Sequence, residues 1–289
     1  MSFPGLVRFQ PGEQSQKGGP RVYIKRAGTG EPTIVFVHGF TCDSTDWDPL
    51  VERLAPHNSL VCCDLPAHGR TPGSAADCTI EAYGGAVTQM MHDLDLPPVV
   101  LIGHSLGCRV VLQAYVEAPE RVIGIVLLDG SRTGSNDPHA PGSGIVRQIT
   151  DEGYEHFLTA FFDDMFTASS DMDMRTATMA RATLLPAEAG TALRANLAEW
   201  DALKMDRALE SVQVPLMAVQ STMLNLSGAR TSLSLGIPVP WLDLVRAHIP
   251  WARVEIVPGV GHFLQIEAAD EVGSLIANFI SNHTPFAST

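Results

Sequence analysis

Val99-Val100-Leu101-Ile102-Gly103-His104-Ser105-Leu106-Gly107-Cys108 is an apolar run that ends in Gly-x-Ser-x-Gly, with a helical pattern after it. Four consecutive apolar residues are what a strand buried on both faces requires. Glycines at 103 and 107 flank the serine and predict a strand-to-helix turn too tight for larger side chains. A serine at the apex of such a turn stands clear of the backbone, above the N-terminus of the next helix. Ser105 is therefore the candidate nucleophile.

Elements of the same kind extend in both directions. Downstream, a helix is expected to about Ala118, stopped by Pro119, and then a strand over 121–128 that runs into Asp129-Gly130-Ser131. Upstream, Thr33 to Val37 reads as a buried strand ending in His38-Gly39-Phe40. A glycine there lets backbone N–H groups face a ligand. The N–H of Phe40, with that of Leu106, is the candidate oxyanion hole. Two such donors contribute roughly 3–4 kcal/mol each to a transition state. His38 itself reads as a brace for its loop, with the substrate pocket as its second assignment. Leu60 to Cys63 forms the next strand, followed by Asp64-Leu65-Pro66-Ala67-His68-Gly69, in which Asp64 and His68 read as a hydrogen-bonded loop. A helix over 79–96 carries a Gly84-Gly85 pair, which points to close packing against a neighbour.

The pattern changes between Arg132 and Ser211. No buried strand is expected there, but three or four amphipathic helices are, at about 144–151, 152–166, 171–184 and 187–209. Phe157, Leu158, Phe161, Phe162, Met165 and Phe166 recur at helical spacing. Phe157, Phe161, Phe162 and Met165, with Trp200, are candidates for an apolar substrate cleft. The strand pattern returns at Val214 to Val219, and a long loop is expected over Gln220 to Pro240, folded over the pocket rim. A helix over 241–249, a strand over 253–257, Gly259-Val260-Gly261-His262-Phe263 and a helix over about 268–282 complete the chain. Residues 10–20 read as a polar, turn-rich link between two short segments of an antiparallel edge.

The 289 residues hold 19 Lys and Arg against 32 Asp and Glu, a net charge of −13. This excess argues against nucleic acid and anionic membranes as partners, and disfavours a polyanionic substrate. No apolar run approaches a membrane span, and no basic, apolar leader opens the chain. The five cysteines form no CxxC pair and read as reduced and packed, in keeping with the cytoplasm. There is no His-Glu-x-x-His, no Cys/His cluster and no Gly-rich phosphate loop, so no metal and no cofactor is expected.

Strands alternating with helices predict a mostly parallel sheet. With His38-Gly39, Asp64 to Gly69, Gly103 to Gly107 and Gly259 to His262 at these stations, the chain resembles the α/β-hydrolase superfamily over nearly its whole length. The resemblance implies an eight-stranded sheet flanked by helices: a core over 1–131 and 212–289, and a helical cap over 132–211. It implies a Ser105, Asp129, His262 triad. Many relatives carry the acid after the seventh strand, but here Gln220-Ser221-Thr222 follow it and no carboxylate appears before Asp243. The alternative station is the end of the sixth strand, where Asp129 follows the apolar run Ile125 to Leu128. A carboxylate there is costly unless partnered, and a histidine N–H is a natural partner. Asp243 is the fallback.

The implied activity is hydrolysis of a small apolar ester or lactone through an acyl-enzyme. A carbon–carbon bond hydrolase, a cofactor-free dioxygenase and a ligand-binding receptor share the fold. Oxygen incorporated from O₂ rather than water would mark the dioxygenase, and tight binding with negligible turnover the receptor. A haloalkane dehalogenase would need a carboxylate where this chain has Ser105.

Overall fold

The structure, a computed structural model, describes residues 13–14, 22–133, 139–224 and 230–283. The strands are β1 (Glu13–Gln14), β2 (Tyr23–Ala27), β3 (Thr33–Val37), β4 (Ser59–Asp64), β5 (Val99–His104), β6 (Val122–Leu128), β7 (Leu216–Gln220), β8 (Thr222–Leu224), β9 (Arg230–Ser232) and β10 (Arg253–Ile256). The helices are α1 (Asp48–Leu54), α2 (Ile80–Asp93), α3 (Leu106–Glu117), α4 (Ser143–Glu152), α5 (Tyr154–Asp163), α6 (Met172–Ala182), α7 (Ala187–Leu203), α8 (Met205–Glu210), α9 (Pro240–His248), α10 (Leu264–Glu267) and α11 (Ala269–His283).

Eight strands form one sheet in the order β1-β2-β4-β3-β5-β6-β7-β10. From β4 to β10 every pairing is parallel, while β1 and β2 are antiparallel additions at one edge. The sheet alternates its side chains between two cores, as the period of two demands. Val35, Val37, Leu101, Ile125 and Leu127 face α2 and α3 on one side. Ile34, Phe36, Val100, Ile102, Val126 and Leu128 face α1 and α11 on the other. This double burial is why the central strands read as unbroken apolar runs rather than as alternation.

Helices α4 to α8 all lie between β6 and β7 in the sequence. Their buried residues, Phe157, Leu158, Phe162, Leu193 and Leu197 among them, are continuous with the α2/α3 core. The helix expected over 187–209 is two helices. Lys204 leaves helical geometry (φ −127°, ψ −25°), and the turn lets Met205 and Leu209 enter the core.

The expected loop over 220–240 is instead partly ordered. β8 and β9 form an antiparallel ribbon in which Thr222 faces Ser232 and Leu224 faces Arg230. Its strands are three residues each and lack alternation, so pattern alone hides them. Residues 225–229 at its centre lie outside the described residues. Glu13–Gln14 is a strand where a turn-rich link is expected. The rest of 10–20, and residues 134–138 of the loop after β6, also lie outside the described residues. All five cysteines are free and buried. No helix among the described residues is long and apolar enough to cross a membrane, and no group of three metal-ligating side chains occurs among them.

Candidate active site

Ser105 sits between β5 and α3 with φ 56° and ψ −114°. This is a sterically costly conformation for a residue with a Cβ. The flanking glycines are what permit it. A Cβ on Gly103 would lie 2.2 Å from the Gly107 carbonyl oxygen, and one on Gly107 would lie 2.2 Å from that of Val37. The strain is held by the register of the sheet and by Ser105 N–H, which donates to the Leu128 carbonyl at 2.9 Å. The half-buried hydroxyl makes no hydrogen bond among the described residues. It shares the wall of one small cavity with Gly39, Phe40 and His262. Leu106 N–H, at the first position of α3, has no intrahelical partner. Phe40 N–H donates to nothing among the described residues.

Asp129 follows β6 directly and also has positive φ, 44°. It is fully buried, yet its two oxygens are surrounded by donors. Oδ1 accepts from Ser221 N–H and Thr222 N–H, both at 2.8 Å, and from the Ser221 hydroxyl at 3.2 Å. Oδ2 accepts from the Thr222 hydroxyl, from Arg230 Nη1 at 3.1 Å and from His262 Nδ1 at 2.5 Å. A carboxylate only accepts, so the Nδ1 proton lies toward Asp129, and Nε2 of the neutral His262 ring is left without a proton. These bonds hold the Asp129 carboxyl down at about 2, against the opposing effect of burial.

Burial lowers the His262 imidazole to about 4; Arg230 adds to the shift, while Asp129 opposes it. The Arg230 cation offsets much of the carboxylate charge that would otherwise stabilise an imidazolium. His104 Nε2 bonds the His262 carbonyl at 2.9 Å, and its ring lies 4.6 Å from the His262 ring. The His262 N–H donates to the Met165 carbonyl at 2.8 Å, which ties the segment after α5 to the histidine loop.

Beside Ser105 opens a cleft of about 470 Å³, lined by Phe40, Leu106, Phe157, Phe161, Met165, Leu224 and three arginines, Arg109, Arg194 and Arg230. Of the residues expected to line a pocket, Phe157, Phe161 and Met165 do so, while Phe162 lines the small cavity between Ser105 and His262. His38 and Trp200 line neither. His38 is buried with Nε2 accepting from Leu65 N–H at 2.9 Å, as a loop brace. Trp200 is buried with its indole N–H donating to Gln113 Oε1 at 3.0 Å, which turns it toward α3. Asp64 accepts from Ser44 N–H and Arg70 N–H, and His68 accepts from Thr41 N–H, so both shape loops. The fallback acid, Asp243, is exposed on α9. The three arginines were not singled out in the sequence, where each is an isolated basic residue.

The sequence profile of the alpha/beta hydrolase family matches residues 34–274. The chain belongs to this family. Among its relatives is the dihydrolipoyllysine-residue acetyltransferase component of the acetoin cleaving system of Cupriavidus necator. The two are 28% identical over 275 residues, which is 89% of this chain and 66% of that protein. The chain thus spans less than two thirds of that relative's length. An esterase from Exiguobacterium antarcticum superposes with a TM-score of 0.77 at 12% identity, covering 96% of this hydrolase-family chain and all of the other. Est816, an N-acyl homoserine lactone degrading enzyme, superposes at 0.74 with 22% identity, covering 92% of this chain and 100% of that one. Both likenesses are of fold.

Proposed function

We propose that this α/β hydrolase is a serine hydrolase that cleaves a carboxylic ester or lactone with an apolar portion. Ser105, His262 and Asp129 form its triad, and α4 to α8 cap the cleft. The observation that carries the reading is the buried Asp129–His262 hydrogen bond beside a strained Ser105 whose hydroxyl makes no hydrogen bond among the described residues. Ser105 Oγ attacks the carbonyl carbon and its proton passes to His262 Nε2. The backbone N–H groups of Phe40 and Leu106 hold the oxyanion. His262 returns the proton to the departing alkoxide as the C–O bond breaks. Water, deprotonated by the same nitrogen, then attacks the acyl carbonyl and frees Ser105. The esterase and lactone-degrading neighbours fit this reaction class.

The test is covalent. Incubation with a fluorophosphonate is expected to add one label per chain and to stop ester turnover. Peptide mass spectrometry is expected to place the label on Ser105. Undiminished turnover of a nitrophenyl ester by protein labelled at Ser105 would overturn the assignment.

The low affinity of His262 for protons sets a pH expectation. The base works when neutral, so kcat/KM is expected to fall only as pH drops through about 4, the value to which the imidazole is lowered. Arg230→Gln removes the neighbouring cation, lets the Asp129 charge act on the imidazolium in full, and moves that acid limb to higher pH. An unmoved limb would show that Arg230 does not tune the base.

A further inference from the structure

Three guanidinium groups line one cleft in a chain of net charge −13, and two of them are already answered. Arg109 clamps Asp201 through Nε and Nη2, both at 2.7 Å. Arg230 bonds Asp129 and the Thr222 hydroxyl. Arg194, on α7, has no hydrogen bond and no ion pair among the described residues, and its Nε is completely buried. What surrounds it is aromatic. Its guanidinium carbon lies 4.7 Å from the centre of the Phe161 ring, 5.8 Å from Phe40 and 5.9 Å from Phe157. Ring faces hold such a group in place but leave its in-plane N–H donors unsatisfied. Burial, with the Arg109 charge beside it, lowers its affinity for protons to about 10. Asp164, the single carboxylate on the cleft wall among the described residues, is exposed and makes no ion pair with Arg194. A half-buried cation with no hydrogen bond among the described residues, on the wall of the cleft that Ser105 lines, is a receptor for an anion.

We infer that the substrate carries a carboxylate, bound by Arg194, at the end of an apolar spacer from the ester or lactone carbonyl. One planar guanidinium with one charge fits a carboxylate fork to fork, and the apolar walls match the spacer. A phosphate dianion would bring a second charge that the single guanidinium of Arg194 does not match. The inference rests on the ester-hydrolase reading and adds the substrate class to it.

The test compares mono(4-nitrophenyl) glutarate, which bears a free carboxylate, with its neutral methyl ester. The wild type is expected to prefer the carboxylate substrate in kcat/KM by about 10- to 100-fold, as charged hydrogen bonds allow. The preference should appear in KM, weaken with salt and collapse toward unity in Arg194→Met. Arg194→Lys should restore part of it. No wild-type preference, or a preference that survives Arg194→Met, overturns the inference; the wild-type comparison stands even if the variant does not fold. If neither ester turns over, the hydrolase reading fails separately. Calorimetry with monomethyl glutarate on the wild type and on Arg194→Met then decides. Binding that needs Arg194 supports the carboxylate site, and its absence overturns it.

Discussion

Asp129→Asn is expected to cut kcat on a nitrophenyl ester by about 10⁴-fold with KM little changed, as loss of the orienting acid does in a serine–histidine–acid system. The expectation follows from the donors around this side chain. Oδ1 is fixed by the Ser221 and Thr222 backbone N–H groups, so the asparagine carbonyl must take that place. Its NH₂ then faces His262 Nδ1, the Thr222 hydroxyl and Arg230 Nη1. A donor set against the imidazole makes Nδ1 the acceptor and moves the ring proton to Nε2, where it blocks uptake of the Ser105 proton. Arg230 loses its counter-charge in the same change. Steady-state kinetics with a calorimetric check of folding decides the matter. A loss under tenfold would mean that Asp129 is a structural carboxylate, and that the acyl-enzyme reading lacks its acid.

The fold was legible because the central strands announce themselves. Val99 to Ile102, Ile34 to Val37 and Ile125 to Leu128 are apolar without alternation, and only a sheet covered on both faces explains three such runs separated by helical patterns. The candidate site was legible to the extent that its residues sit at strand ends. Ser105, Asp129 and His262 each follow a strand or its loop, where a parallel sheet gathers them at one edge. The cleft was legible in its apolar wall, Phe157, Phe161 and Met165, but not in its cations. Arg109, Arg194 and Arg230 come from three elements spread over more than a hundred residues, and nothing in the local pattern distinguishes them from solvated arginines. The acidic balance of the whole chain argues against a polyanionic substrate, but total charge says nothing about the sign in one cleft. Trp200 was misplaced for a related reason. The helical period gives the face that is buried, but not whether that face meets a cavity or another helix, and here it meets Gln113 of α3.

Arg109→Met is expected to lower the unfolding free energy by about 3–5 kcal/mol, whereas Arg109→Met with Asp201→Leu should recover most of that loss or exceed the wild type. Arg109 is one turn beyond Ser105 on α3, and Asp201 is on α7. The two side chains are 3% and 0% exposed, so neither charge is solvated and each depends on the other. Removing the guanidinium leaves Asp201 with only the Thr133 N–H at 2.6 Å as a donor among the described residues, an uncompensated charge in the core. Removing both replaces ions with apolar volume and eliminates the desolvation cost. Urea denaturation of the two single variants and the double gives the coupling directly. A single variant that loses under 1 kcal/mol would show that water reaches the pair. The cycle also separates stability from alignment of the nucleophile. Arg109 Nη1 bonds the Ser105 carbonyl at 3.2 Å and Nη2 the Ser131 carbonyl at 2.5 Å, so the guanidinium bridges the turn that carries the serine to the strand end that carries Asp129. The double variant, stable but without those two bonds, is therefore expected to lose kcat while keeping its fold. An arginine whose charge is spent on Asp201 would then hold Ser105 in register with Asp129, which leaves Arg194, without a hydrogen bond among the described residues, to receive the proposed anion.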